Sequence, residues 1–407
     1  MLEVPWIARS LAAVFLLSLG ACRLARVPHP TAASDVTRGA VHLTQSIPAE
    51  TSLATDGFLP TEDAWRIVID GAKRRLDLAF FYGSDSAPSR LTPIVEAMER
   101  APARGVAVRA VFERAFLGRY PAIPERLREA GAEVRVVDRA ATTGGIVHTK
   151  MLAADGQFAW VGSANLDWRS LEHIHELGVF VSNARLAEAV HSLVEADLRW
   201  PDSRPTPEAD PNASGDLMPL AFEPLELGDE VAHVAFAASP RGWLPDSIAW
   251  DWPHLEELVQ SARTDLTLEF LTYGTTLRDG TAWPALDDAL RDAVARGVHV
   301  TLTLSSWAAK GKQRGELARL RDAGVDVRIV TIPDAAGGPI PFARVIHGKT
   351  VVADGRRCWV GTSNGEGDYF RTSRNAGFFL SSSTACGLLR RTVAALASGP
   401  YARPLDD

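Results

Sequence analysis

The chain predicts an α/β fold written twice: two tandem α/β/α sandwich units packed face to face around one shared site. Three observations carry that expectation. Short β-rich apolar runs alternate with stretches of helical apolar spacing, the pattern of a layered sheet flanked by helices. Landmarks of the first half return in order in the second: "RRLDLAFFYG" ending at Gly83 with "RTDLTLEFLTYG" ending at Gly274, "ARGVAVRAV" around Gly105 with "ARGVHVTLT" around Gly297, and "LREAGAEVRVV" around Gly131 with "LRDAGVDVRIV" around Gly324. The third is "VHTKMLAADG" from Val147, which recurs as "IHGKTVVADG" from Ile346. Chance does not keep four landmarks in register, so a unit has been duplicated.

The elements follow in order along the chain. Residues 1–22 read as a targeting segment: Arg9 precedes "SLAAVFLLSLGAC", an apolar run too short to span a bilayer and of the length of a signal-peptide core. Leu19-Gly20-Ala21-Cys22 is similar to a bacterial lipoprotein cleavage box, which would acylate Cys22; an ordinary secretory signal cleaved near Ala21 is the alternative. The first reading places the protein in the bacterial cell envelope on a lipid anchor, the second in the periplasm or outside. Residues 23–50 are expected to be a tether, 51–200 the first unit, 201–230 a linker centred on "PDSRPTPEADPNASG", and 231–403 the second unit. Each unit reads as helix, strand, helix, strand, helix, strand and hairpin, opening with "TEDAWRIVIDGAKRR" and "DWPHLEELVQSART".

With 407 residues, 46% hydrophobic and 23% charged, the chain can bury a large core. A net charge of −7 excludes a protein that coats nucleic acid through an overall positive field, and leaves room for a local basic cleft. Among its eleven tryptophans, those in "WLPDSIAWDW" (Trp243 to Trp252) either line a binding surface or pack inside. Cys358 and Cys386 can be bridged in an oxidising compartment or lie unpaired as two small buried hydrophobes. No Cys/His spacing reads as a zinc site, so neither metal nor cofactor is expected.

In each repeated motif an Asp-Gly pair, Asp155-Gly156 or Asp354-Gly355, separates two apolar runs, the signal of a tight hairpin. His148 and Lys150, two apart on a strand, share a face, and the return strand delivers Gly162, Ser163 and Asn165. The second copy does the same with His347, Lys349, Gly361, Thr362 and Asn364. Imidazole, ammonium, hydroxyl and amide together suit a phosphate group: the lysine neutralises its oxygens, and the hydroxyl and amide add donors. Two such copies face to face supply a nucleophile on one side of phosphorus and a general acid on the other. Asp155 and Asp354 are explained at least as well by the turn as by chemistry.

The two motifs resemble the H-x-K-x4-D-x6-G-[ST]-x-N signature of the phospholipase D superfamily. The stretches "HTKMLAADGQFAWVGSANLDWRSLEHIHELGV" and "IPFARVIHGKTVVADGRRCWVGTSNGEGDYF" are similar to the branch holding the mammalian lysosomal phospholipase-D-like exonucleases and the poxvirus envelope phospholipase homologue. The resemblance covers the chain from about Thr61 to Tyr401. It implies a phospholipase D-like fold and a covalent phosphohistidine formed without metal. It also implies that Glu176, at the family's carboxylate position after His148, hydrogen-bonds the nucleophilic imidazole; Asn375 stands at the matching position after His347. His148 is therefore expected to be the nucleophile and His347 the general acid. The leading expectation for substrate is phospholipid, cleaved or transferred to an alcohol at the membrane surface. A 5' exonuclease on single-stranded nucleic acid is the alternative. An inactive binding lipoprotein fits least, since both copies keep every catalytic side-chain type. Trp168, Arg169, Asp368 and Tyr369 follow the phosphate-binding ends and either shape the cleft or pack. His173, His175, His233, His254 and His299 are expected on the surface or satisfied in the core.

Overall fold

A computed structural model describes residues 30–201 and 217–406. The expected leader with Cys22, and most of the Pro-rich linker, lie outside the described residues. Among the described residues no helix is long and apolar enough to cross a membrane.

In the first unit the helix Thr61–Gly71 buries Ala64, Trp65, Ile67, Val68 and Ile69 on one face, and Glu62 and Asp63 in its first turn complement the helix dipole. The strand Arg75–Phe80 pairs parallel with Ala107–Glu113, which pairs parallel with Glu133–Val137. The helices Thr92–Arg100 and Ala122–Glu129 are the crossovers that parallel pairing requires. On its other side Arg75–Phe80 pairs antiparallel with Lys150–Ala154, the first strand of the motif hairpin, whose return strand is Phe158–Gly162. Glu176–Ser182 follows antiparallel to the return strand, and the helix Ala184–Leu198 comes next.

The second unit repeats this order with Asp265–Phe270, His299–Ser305 and Asp326–Val330, the hairpin Thr350–Ala353 and Arg357–Gly361, then Asn375–Ser381 and the helix Ser383–Ser398. One apolar cluster draws on both units, Val179 and Leu193 from the first and Val234 and Phe378 from the second, so the halves share a core.

Two boundaries differ from expectation. The first sheet begins inside the expected tether: Val41–Ser46 pairs antiparallel with Glu176–Ser182. Its polar residues read as a linker but bond inward, Trp160 Nε1 donating to Thr44 Oγ1 at 2.9 Å. Likewise Glu223–Leu227, in the expected linker, is an edge strand paired with Glu230–Ser239. Cys358 and Cys386, 5.5 Å apart at Cα, are joined by a disulfide that ties a hairpin strand to the helix Ser383–Ser398.

The Asp-Gly turns are as predicted. Asp155 and Gly156 have φ of 55° and 62°, and Asp354 and Gly355 have 53° and 61°, the left-handed pair of a two-residue hairpin turn. The Asp155 carboxylate accepts the backbone N–H of Lys73, Arg74 and Arg75 at 2.7 to 2.9 Å. Asp354 does the same for Arg263, Thr264 and Asp265. Both aspartates lie at the hairpin tip, the opposite end of the strand from the His/Lys pair, and hold the entry of the neighbouring strand.

Candidate active site

Each motif histidine is anchored by the other unit. His148 N–H donates to Arg374 O at 2.8 Å, and His347 N–H donates to His175 O at 2.8 Å; Arg374 and His175 stand at corresponding places before the strands Asn375–Ser381 and Glu176–Ser182. These reciprocal bonds bring both motifs into one centre. Lys150 Nζ donates to His148 O at 2.6 Å and Lys349 Nζ to His347 O at 2.5 Å, which aligns each ammonium with its own imidazole. Ser163 Oγ accepts from Leu177 N–H at 2.9 Å and Thr362 Oγ1 donates to Asn375 Oδ1 at 2.8 Å. Asn165 Oδ1 and Asn364 Oδ1 are buried with no protein partner.

The crossing of the strands corrects the expected pairing of Glu176. Its Oε2 lies 2.8 Å from His347 Nδ1, not beside His148; His148 Nδ1 faces Asn375 Oδ1 at 3.1 Å. Equal spacing along the chain carries no information about this, because each strand after a motif runs beneath the opposite histidine. The motif glycines Gly162 and Gly361 serve the fold rather than the phosphate. A Cβ on Gly162 would stand 2.7 Å from Gly178 Cα, and one on Gly361 2.2 Å from the Trp359 ring, so both make room for the protein's own sheet and indole.

The electrostatics of the halves differ. Burial, then Lys150, Lys349 and His347, pushes His148 well below the usual imidazole range. His347 is also lowered by burial, but Glu176 pulls it back up. Glu176 stays below the usual carboxylate range despite its burial, because His347 and Lys349 favour its charge. Burial lowers Lys150 strongly and brings Lys349 to about 7, where Glu176 and Glu269 hold it up. A phosphate entering this centre supplies the negative charge that the paired ammonium groups lack.

A family model described as "Cardiolipin synthase, PLD-like domain" matches residues 66–198 and 257–396, both units with their motifs. The chain belongs to the phospholipase D superfamily. A phosphodiesterase of this superfamily is therefore in hand. It is 30% identical to the rat 5'-3' exonuclease PLD3 over 405 residues, covering 89% of this chain and 80% of the relative. It is 29% identical to Phospholipase D Z of Dictyostelium discoideum over 360 residues, covering 83% and 84%. The fold matches that of a phosphatidylserine synthase from Haemophilus influenzae with TM-score 0.58 at 13% identity, each chain covered to 83%.

Around the phospholipase D-like centre the walls are aromatic and basic. Phe81 and Tyr369 flank His148 with ring centroids at 5.0 and 4.8 Å. Phe81 meets Phe116 at 4.3 Å, and Tyr82 stacks on Phe116 at 5.4 Å and on Tyr120 at 4.8 Å. Arg119 bridges Tyr120 to Phe342, lying 4.6 Å over the ring of Phe342, which is half exposed. Arg169, bonded to Asp167 at 2.9 Å, reaches Tyr120 Oη at 3.3 Å and Pro341 O at 3.0 Å, so it braces this wall. Tyr369 thus belongs to the centre, whereas Trp168 packs against the first core and His173.

Phe81, Glu269 and His175 were not singled out as site residues in the sequence. Glu269 left a signal: it is a charge within the otherwise apolar and hydroxyl-bearing run "LTLEFLTYG", where the first unit has alanine. A carboxylate in a buried strand needs partners.

Proposed function

We propose that this protein shortens single-stranded nucleic acid through a phosphohistidine, with His347 as nucleophile and His148 as general acid and then base. The observation that carries the substrate is the band from His148 through Phe81, Phe116, Tyr82 and Tyr120 to Arg119 and Phe342. Aromatic faces with interleaved arginine accept successive bases without sequence preference, and a band of this kind is compatible with a net acidic chain. The named activity of the rat relative points the same way.

The assignment of the histidines rests on Glu176. Its carboxylate on His347 Nδ1 fixes the tautomer that leaves the Nε2 lone pair free, and it stabilises the positive ring formed on attack. His347 Nε2 bonds to phosphorus while the bond from phosphorus to the leaving oxygen breaks, and His148 gives that oxygen its proton. Water then loses a proton to His148 and attacks phosphorus, breaking the P–N bond and restoring both rings. Lys150, Lys349, Asn165 and Asn364 hold the non-bridging oxygens through both steps. The anionic phosphate raises His148 from its depressed value, so the acid is protonated when substrate is present.

Phospholipid hydrolysis or transfer is the second reading, favoured by the name of the Dictyostelium relative. Export on a lipid anchor at Cys22 belongs to the proposal as well, supported by the apolar run that ends there. The test is a parallel assay in chelator of an end-labelled single-stranded oligonucleotide and of phospholipid vesicles containing an alcohol. Stepwise shortening with inert vesicles, abolished in His347→Ala, is the expected result. Released head group or a new phosphatidyl alcohol with an intact oligonucleotide selects the lipid reading.

A further inference from the structure

At the tip of the first motif hairpin an open depression of about 510 Å³ lies between the Asp155-Gly156 turn, Arg38-Gly39 and the start of the helix Ala184–Leu198. Arg38, Lys73 and Arg74 line it, all three exposed, and their side chains make no hydrogen bond or ion pair among the described residues. The one carboxylate in its lining, Asp155, is already engaged by the backbone N–H of Lys73, Arg74 and Arg75. Ser182 lines it too; it is 2% exposed, and its buried Oγ has no hydrogen-bond partner. A hydroxyl buried in that state costs stability unless something brings it a partner.

The helix start adds a donor. Asn183 Oδ1 accepts from Arg185 N–H at 2.9 Å and Leu186 N–H at 3.0 Å, which leaves the Ala184 N–H without a partner among the described residues. Glu223 bonds the Arg185 guanidinium at 3.0 Å and the Asn183 amide at 3.5 Å, not the helix N–H groups. The second unit shows what this place takes. There the Glu230 carboxylate accepts from Ser383 N–H and Thr384 N–H, each at 2.7 Å, and from Ser383 Oγ at 3.3 Å, at the start of the corresponding helix Ser383–Ser398. Burial opposes its charge, yet these donors hold Glu230 below the usual carboxylate range. Counting back from equivalent strand pairs, Val41 with Val181 and Val234 with Leu380, puts Thr37 in the register of Glu230. The first unit lacks the built-in carboxylate and gathers three cations instead.

We propose that this depression is a second anion site, in which a phosphate group takes the place that Glu230 fills in the other unit. A helix N-terminus with a free N–H favours a negative group, and three cations against one engaged carboxylate suit a dianion. No aromatic residue lines it, so it recognises the phosphate and not a base. The site lies at the opposite end of the hairpin strand from Lys150, apart from the catalytic centre, and is indifferent to which phosphodiester that centre cleaves. A free phosphate and the head group of phosphatidic acid present the same anion to it.

The experiment titrates the full chain with inorganic phosphate by calorimetry, and reads phosphate at the catalytic centre separately, as inhibition of bis(p-nitrophenyl) phosphate hydrolysis. The wild type is expected to bind a phosphate beyond the one that inhibits. Lys73→Ala with Arg74→Ala is expected to weaken that second phosphate about tenfold or more and to leave the inhibition unchanged. Ala184→Pro removes the free N–H at the first helical position, where proline is accepted after an extended residue such as Asn183, and is expected to melt like the wild type while weakening the same phosphate about threefold. Sedimentation with vesicles distinguishes the sources. Retention on phosphatidic acid but not on phosphatidylcholine, lost in the same variants, assigns the site to a lipid head group; phosphate binding without retention assigns it to free phosphate. A wild type that binds no phosphate outside the catalytic centre, or variants that bind it as the wild type does, overturns the proposal.

Discussion

The two halves of this molecule keep one geometry and two electrostatic environments. Backbone bonds from His148 to Arg374 and from His347 to His175 are mirror images, as are the Lys150 and Lys349 contacts to their own histidine carbonyls. Behind them the mirror fails: His347 has Glu176 and its lysine has Glu269, whereas His148 has the neutral Asn375. Two histidines can approach one phosphorus from opposite sides only with related geometry, while nucleophile and acid need different charge. Duplication supplied the first requirement, and divergence at two pairs of equivalent buried positions, Glu176 with Asn375 and Glu269 with Ala79, supplied the second.

The comparison can be broken most severely at the histidines. His347→Ala removes the attacking atom, and turnover is expected to fall by about 10⁴-fold with no phosphohistidine, as read by single-turnover kinetics and acid-quench trapping. Glu176→Gln should cost on the order of 10² to 10³-fold in kcat by withdrawing the charge that supports the imidazolium, with substrate affinity little changed. Asn375→Asp sharpens the comparison from the other side. It gives His148 a carboxylate and is expected to move the His148 limb of the pH profile upward, with a change in kcat below about tenfold.

The pH dependence has a definite sign. Both the acid His148 and the phosphate-binding Lys349 must carry a proton, and burial depresses both, His148 well below the usual imidazole range and Lys349 to about 7, so kcat/KM, which reports the free enzyme, is expected to fall as pH rises toward and through that region. The smallest effect on catalysis belongs to the hairpin aspartates. Asp155→Ala leaves three N–H groups without their acceptor and is expected to lower stability by about 1 to 2 kcal/mol in thermal melts, with turnover intact at low temperature. The folded-state pKa of Asp155 is depressed by those N–H donors, so its contribution is present above the unfolded value and is lost as pH falls through the folded one.

Much of this was legible in the sequence because duplication doubles every signal. The hairpin turns followed from Asp-Gly, the buried strands from their apolar runs, and the His/Lys pairs from alternation along a strand. The pairing of Glu176 with His347 was not legible, since it depends on how two sheets cross rather than on any spacing within one. Val41–Ser46 escaped for a related reason: its Thr44 and Gln45 look solvated until Trp160 and His175 meet them from distant parts of the chain. Residues whose meaning lies in a partner from a distant part of the chain are where a local reading stops.

The central claim is the division of labour, and trapping the covalent intermediate tests it most directly. A single turnover on an unactivated phosphodiester, quenched and mapped by peptide mass spectrometry under conditions that spare phosphoramidates, should place the phosphoryl group on His347, with no label in His347→Ala and slowed release in His148→Ala. Label on His148 in the wild type would contradict the account, because the nucleophile would then be the ring that lacks the carboxylate.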